Sequence, residues 1–169
     1  FQDVLKGPGS PSPVTMSADD TATLIYSGGT TGGPKGAQLS HRTHIFNGTM
    51  LNVWAQSKPA KDVMLAVMPF FHIYGLSVVM HTSILGALTM VLIPNPRDMR
   101  HVLLAIQKHR ITYYLGVPTM FNGFNNFPGR EAYDLSSLRF AASAAAPLPP
   151  EVQERFQTVT GAKMVEAYG

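Results

Sequence analysis

Apolar residues recur at helical spacing in some stretches of this chain and form short extended runs in others, and the two patterns alternate. The spacing predicts a helix over 44–56, with Phe46, Met50, Val53 and Trp54 on one face, then a strand over 62–68. A helix over 74–85 and a strand over 89–93 follow. The next helix, 97–109, carries Met99, Leu103 and Ile106 on one side, and 112–117 reads as a strand. Pro118 suits the first turn of a short helix; 138–142 is a strand, 149–160 a helix with Val152, Phe156 and Val159 at helical spacing, and 163–167 a closing strand. Such alternation predicts an α/β fold: a mostly parallel sheet with helices on both faces, whose ligands meet the C-terminal ends of the strands.

Ahead of this alternation lie two short extended runs, TATLIY and GAQLSH, separated by a loop within YSGGTTGGPKG, residues 26–36. Glycines let backbone N–H groups converge on an anion, while Ser27, Thr30 and Thr31 add hydroxyl donors and Lys35 a charge. The pattern predicts a strand-loop-strand phosphate-binding hairpin formed by Ser27, Gly28, Gly29, Thr30, Thr31, Gly32 and Lys35. It is not a Walker A loop, because Pro34 precedes Lys35 and Gly36 follows it. Nor is it a dinucleotide fingerprint, which opens directly into a helix. A ligand-free glycine turn is the bland alternative.

Composition narrows the classes. A chain of 169 residues, 45% hydrophobic and 14% charged, is that of a folded domain. Residues 1–17, rich in Pro, Gly and Ser, read as a linker or extended arm, leaving 18–169 as the domain. The absence of cysteine excludes disulfides and thiolate metal ligands and is compatible with the cytoplasm. A net charge of +3 is spread along the chain, and Arg97, Arg100, Lys108 and Arg110 read as a solvated helix face; no nucleic-acid partner is indicated, and peripheral membrane contact is the weaker alternative. The uncharged stretch 75–93 is interrupted by His81, Thr82, Ser83 and Gly86, which fits a buried helix and strand better than a transmembrane segment.

Three further motifs carry candidate chemistry. His72 lies in PFFHIYG beside Phe70, Phe71 and Tyr74, where a lone histidine is usually a hydrogen-bonded core residue, and no second ligand at metal spacing accompanies it. SAAAPLPPE, from Ser143, is either a small-residue strand end packed under a helix or a turn that a flat ring can approach closely. EAYG closes the chain. Together with the loop, and in this order, these motifs resemble the signature of the adenylate-forming superfamily, and residues 92–124 are similar in pattern to bacterial long-chain fatty acyl-CoA ligases.

The resemblance implies an acid-thiol ligase that uses ATP, Mg²⁺ and coenzyme A: a fatty acid is converted to its acyl-adenylate and then to a thioester. It implies that the loop and Lys35 hold the β- and γ-phosphates and that His72 borders the acyl carboxylate and α-phosphate. Adenine would lie along Ala144, Ala145 and Ala146 and stack on Tyr168, beside Glu166 and Gly169. Gly28 stands where many relatives carry Ser, and Ala144 and Ala145 replace commoner glycines. Relatives continue beyond Gly169 with Thr-Glu, a ribose-binding aspartate and a C-terminal domain, so the 169 residues are expected to be inactive alone and to self-associate through bared apolar surface. An aryl-CoA ligase, a carrier-protein adenylation domain or a non-catalytic nucleotide-binding module remain the alternatives. Among apolar positions, Met64, Met68, Met80, Met90 and Met99 are expected in the core, with Val78, Val79 and Phe121 as candidates for an acyl tunnel.

Overall fold

A computed structural model of the chain describes residues 6–7, 13–27 and 33–168, with Ser27 described in its backbone alone. Gly28, Gly29, Thr30, Thr31, Gly32 and Gly169, and most of the expected arm 1–17, lie outside the described residues. The chain divides into two units, residues 1–42 and 43–169.

In the first unit, β1 (Thr21–Ser27) and β2 (Lys35–Ser40) pair antiparallel, with Tyr26 opposite Gly36 and Ser27 opposite Lys35. Lys35 therefore stands at the last rung before the glycine loop, in the strand-loop-strand arrangement expected. Arg42 clasps Asp19, donating from Nε to Oδ1 at 2.7 Å and from Nη2 to Oδ2 at 2.9 Å.

The second unit is built on a five-stranded, wholly parallel sheet. Its strands are β3 (Val63–Ala66), β4 (Thr89–Leu92), β5 (Tyr113–Gly116), β6 (Phe140–Ser143) and β7 (Lys163–Glu166), in the order β4-β3-β5-β6-β7. Side chains alternate across it. Tyr114, from the middle of β5, packs against Phe121 and Phe124 of α4 (Pro118–Asn125) and Phe156 of α5 (Pro150–Thr160). Its neighbours Tyr113 and Leu115 face the other way, toward α1 (His41–Trp54) and a π-helix (Tyr74–His81) that runs into the single α-helical turn α2 (Thr82–Leu85). The helix α3 (Met99–His109) is capped by Asp98, which accepts from His101 N, and buries Val102, Leu103 and Ile106. Arg97, Arg100, Lys108 and Arg110 are exposed, as a solvated face requires.

Two expectations are corrected. The face of α1 formed by Phe46, Met50, Val53 and Trp54 is not its buried face: Phe46 is 70% and Val53 74% exposed, while His44 and Gly48 point inward. Close approach explains the choice, since a Cβ on Gly48 would lie 2.7 Å from Leu85 Cδ1 and 3.4 Å from the His81 carbonyl carbon. Asn52 reinforces the contact, its amide donating to the carbonyls of Gly48 and Thr82 at 2.9 Å each. A small and polar seam is what α1 buries, while Met50 and Trp54 of the apolar stripe stay about half covered. The second correction concerns 74–85, which has the helical extent expected but π geometry over its first eight residues. Gly75 sits against the carbonyls of Met68 and Pro69, and such π segments are frequent where a helix borders a functional site.

Candidate active site

Between α1, the π-helix and one face of the sheet lies a cavity of about 400 Å³, within the range of small-molecule sites. Its walls come from Met50, Leu51 and Trp54 of α1, Ser77 and Val78 of the π-helix, and Met64, Tyr113, Leu115, Phe140 and Ala142 of the sheet. The strand register orders these walls. Gly116, Ser143 and Glu166 share the last rung and Tyr113 and Phe140 the first, so Ala144, Ala145 and Tyr168, just beyond the C-terminal ends, lie at the opposite end of the cavity from the aromatic rings.

Of the expected site residues, His72, Ala144, Ala145 and Tyr168 border this one cavity. His72 is exposed, not a core histidine, and its Nδ1 accepts from Tyr74 N at 3.1 Å. With Nδ1 occupied as an acceptor, the neutral ring carries its proton on Nε2, which is thereby a donor. Tyr168 is fully exposed, leaving its ring face open. Ala144 is buried, whereas Ala145 adopts φ 71°, the left-handed region in which glycine is at ease, so the residue type costs some backbone strain here. Ala146 is exposed and does not line the cavity. Nor does Glu166; its carboxylate accepts from Leu148 N at 3.0 Å and ties the turn after β6 to the end of β7. Lys35 belongs to the first unit, on β2.

Polar groups hold the cavity's frame. The Tyr74 hydroxyl is shared between the carbonyls of Gly116 and Ala142, at 3.2 Å to each, pinning the π-helix to the ends of β5 and β6. Burial pushes this phenol well above its ordinary range, so it stays protonated and donates to both carbonyls. Among the acyl-tunnel candidates only Val78 lines the cavity; Val79 and Phe121 are fully buried in the packed core. Met64, expected only as core, is also a cavity wall. Tyr113 and Phe140 were not singled out from sequence, and Trp54 was named only as part of the apolar face of α1, not as a site residue. The period-two spacing of Tyr113 with Leu115, and of Phe140 with Ala142 and Ala144, is the signal that places them on one face.

Where α1 meets the π-helix, the rings of His44 and His81 meet edge-on at 4.4 Å. Burial, and then the neighbouring His44, push His81 below the ordinary histidine range. A depressed folded-state value means that, as pH falls below about 6.5, the unfolded chain takes up a proton the folded chain resists. Stability is present above that pH and lost below it. Thermal melts from about pH 7.5 down to pH 5 are therefore expected to show a falling midpoint, and His81→Gln to flatten the fall. A slope as steep in His81→Gln as in the wild type would assign the loss to other groups.

A parallel α/β sheet that carries an apolar cavity, with a histidine and an open tyrosine ring at its carboxyl edge, defines a small-molecule site of the type such sheets build at their strand ends. The chain belongs to the AMP-binding enzyme family, whose profile matches residues 2–169. It is 42% identical over 151 residues to a long-chain-fatty-acid-CoA ligase of Bacillus subtilis (strain 168), covering 89% of this chain and 27% of that protein. It is also 39% identical over 147 residues to 4-coumarate-CoA ligase 3 of Arabidopsis thaliana, covering 83% of this chain and 26% of that one. In structure it superposes on ATP-bound MatB from Rhodopseudomonas palustris with a TM-score of 0.84 at 29% identity, covering 99% of this chain and 33% of that chain. The chain thus spans about a quarter of the length of the curated relatives it matches. Among the described residues, no helix is long and apolar enough to cross a membrane.

Proposed function

We propose that the full-length protein is an acid-thiol ligase that activates a fatty acid with ATP and passes the acyl group to coenzyme A. The observation that carries this reading is the apolar cavity ending at His72, Ala144, Ala145 and Tyr168, a greasy chamber with polar chemistry at one end. The similarity to a long-chain-fatty-acid-CoA ligase supports an aliphatic acid, and that to a 4-coumarate-CoA ligase keeps an aromatic acid as the second reading.

A carboxylate is a poor electrophile, and ATP supplies the leaving group it lacks while coenzyme A supplies the thiol. On this reading the chain's own residues bind and orient. Ser27, Gly28, Gly29, Thr30, Thr31, Gly32 and Lys35 hold the triphosphate, with the charge on the departing pyrophosphate met by Lys35 and backbone donors. His72 donates from Nε2 toward the acyl carboxylate and the α-phosphate. The backbone at Ala144, Ala145 and Ala146 lies along adenine, which stacks on Tyr168, while Glu166 fixes the turn through Leu148 N and Gly169 follows the tyrosine. Mg²⁺ accompanies the phosphates; among the described residues no group of three or more His, Cys, Asp or Glu gathers to hold it. The apolar walls take the acyl chain and keep water from the activated carbonyl.

The test is mass spectrometry of the full-length protein incubated with ATP, Mg²⁺, coenzyme A and a mixture of fatty and aromatic acids. An aliphatic acyl-CoA is the expected product. An aromatic thioester would move the protein to the aryl-CoA ligases, and ATP binding without any thioester would make it a nucleotide-binding module.

A further inference from the structure

The sheet wall of the cavity changes from small residues to large ones along the strands. Near the C-terminal edge its sheet wall is Ala142 and Ala144; at the other end stand Phe140 and Tyr113, with Trp54 edge-on to Phe140. The ring centres of Tyr113 and Phe140 are 5.4 Å apart and those of Trp54 and Phe140 5.6 Å, so the three rings form one continuous surface. Tyr113 is locked from behind. Its hydroxyl donates to Ala55 O at 2.7 Å and accepts from Arg139 Nη2 at 2.6 Å, and the same nitrogen donates to Asp62 Oδ2 at 2.6 Å. The guanidinium also lies 4.9 Å from the centre of the tyrosine ring. Asp62 is buried and accepts from Lys58 N, so moving Tyr113 would strip a buried carboxylate's partner of one of its own contacts.

We propose that Phe140 and Tyr113, braced by Arg139 and Asp62, are the floor that sets how much of an acyl chain this site recognises, near ten carbons for a straight chain. The inference rests on the ligase reading. From Ala144 to Phe140 is four residues of extended backbone, about 13 Å. An extended alkyl chain advances roughly 1.3 Å per carbon, so about ten carbons reach the floor. Each methylene that finds apolar surroundings tightens binding about fourfold, and each one beyond the floor adds nothing. Arg139 and Asp62 are positioning residues in this scheme, acting through the tyrosine.

The experiment is acid-dependent pyrophosphate release by the full-length protein, with straight-chain acids from hexanoate to hexadecanoate and KM read against chain length. The wild type is expected to show KM falling by about fourfold per added methylene up to roughly ten carbons and level thereafter. In Phe140→Ala the fall should continue for two or three more carbons, with Phe140→Leu between the two and thermal melts confirming that each variant folds. Arg139→Gln should blur the break in KM without a matching change in kcat. A wild-type KM that keeps falling through hexadecanoate, or a break at the same length in both folded Phe140 variants, overturns the floor while leaving the ligase intact. Absence of release with every acid overturns the ligase reading and the floor with it.

Discussion

Gly75→Ala is expected to destabilise the protein by about 3 kcal/mol, a large loss for one methyl group. A Cβ built on Gly75 would lie 2.2 Å from the Pro69 carbonyl oxygen, 2.6 Å from its carbon and 2.8 Å from the Met68 carbonyl oxygen. All three atoms are backbone, so no rotamer change can relieve the overlap. The contrast is Gly48, where the nearest obstacle at 2.7 Å is the tip of Leu85, a side chain that can turn aside. Relief at Gly75 requires the π-helix to move off the end of β3, and that motion breaks the shared bond from Tyr74 to Gly116 and Ala142. It also displaces His72, whose ring is held by Tyr74 N and whose carbonyl accepts from Leu76 N at 2.9 Å. A urea titration of the variant should show a midpoint reduced in proportion, together with a loss of any acid-dependent pyrophosphate release. A stability within a few tenths of a kcal/mol of wild type would mean that the π-helix can yield at Gly75 without loss.

The last glycine of PFFHIYG was legible as part of a motif, but not as the point where a helix grazes a strand end. The same division holds across the molecule. Alternating periodicity located the strands to within a few residues, because buried parallel strands are short apolar runs between turn signals. Pro118 marked a helix start through its fixed φ and missing N–H, and the helix expected from Pro149 begins one residue later, at Pro150, with Pro149 as its N-cap. The inward face of α1 was not legible. Its apolar residues outnumber His44, Gly48 and Asn52, and only the facing turn α2, whose Thr82 carbonyl accepts from Asn52 and whose Leu85 crowds Gly48, selects the polar seam. His72, Ala144, Ala145 and Tyr168, which border the cavity, could be named from sequence because each sits in a short motif. The rings of Trp54, Tyr113 and Phe140 come from three separate elements and meet only after folding, and the brace from Arg139 to Asp62 spans 77 positions of sequence. No local pattern carries such a contact.

The two faces of the sheet should respond differently to the same truncation. Phe156→Ala is expected to cost about 3–5 kcal/mol, the range for emptying a filled aromatic site. Phe156 is fully buried, with ring centres 5.0 Å from Phe124, 5.1 Å from Phe121 and 6.2 Å from Tyr114. These rings come from α4, α5 and β5 and interlock, so the void left by one cannot be filled by a small shift of the others. On the opposite face Phe140 borders space that is already empty, and its loss enlarges a cavity of about 400 Å³ that a ligand can enter. Phe140→Ala forfeits ring contacts with Trp54 and Tyr113 but fewer packed neighbours, so its cost should be smaller than that of Phe156→Ala. Denaturant midpoints of the two variants, measured with unchanged m-values, make the comparison. If instead Phe140→Ala proves the costlier change, the aromatic floor is a structural keystone of the second unit, and the hollow beside it is tolerated because those rings brace the sheet from that side.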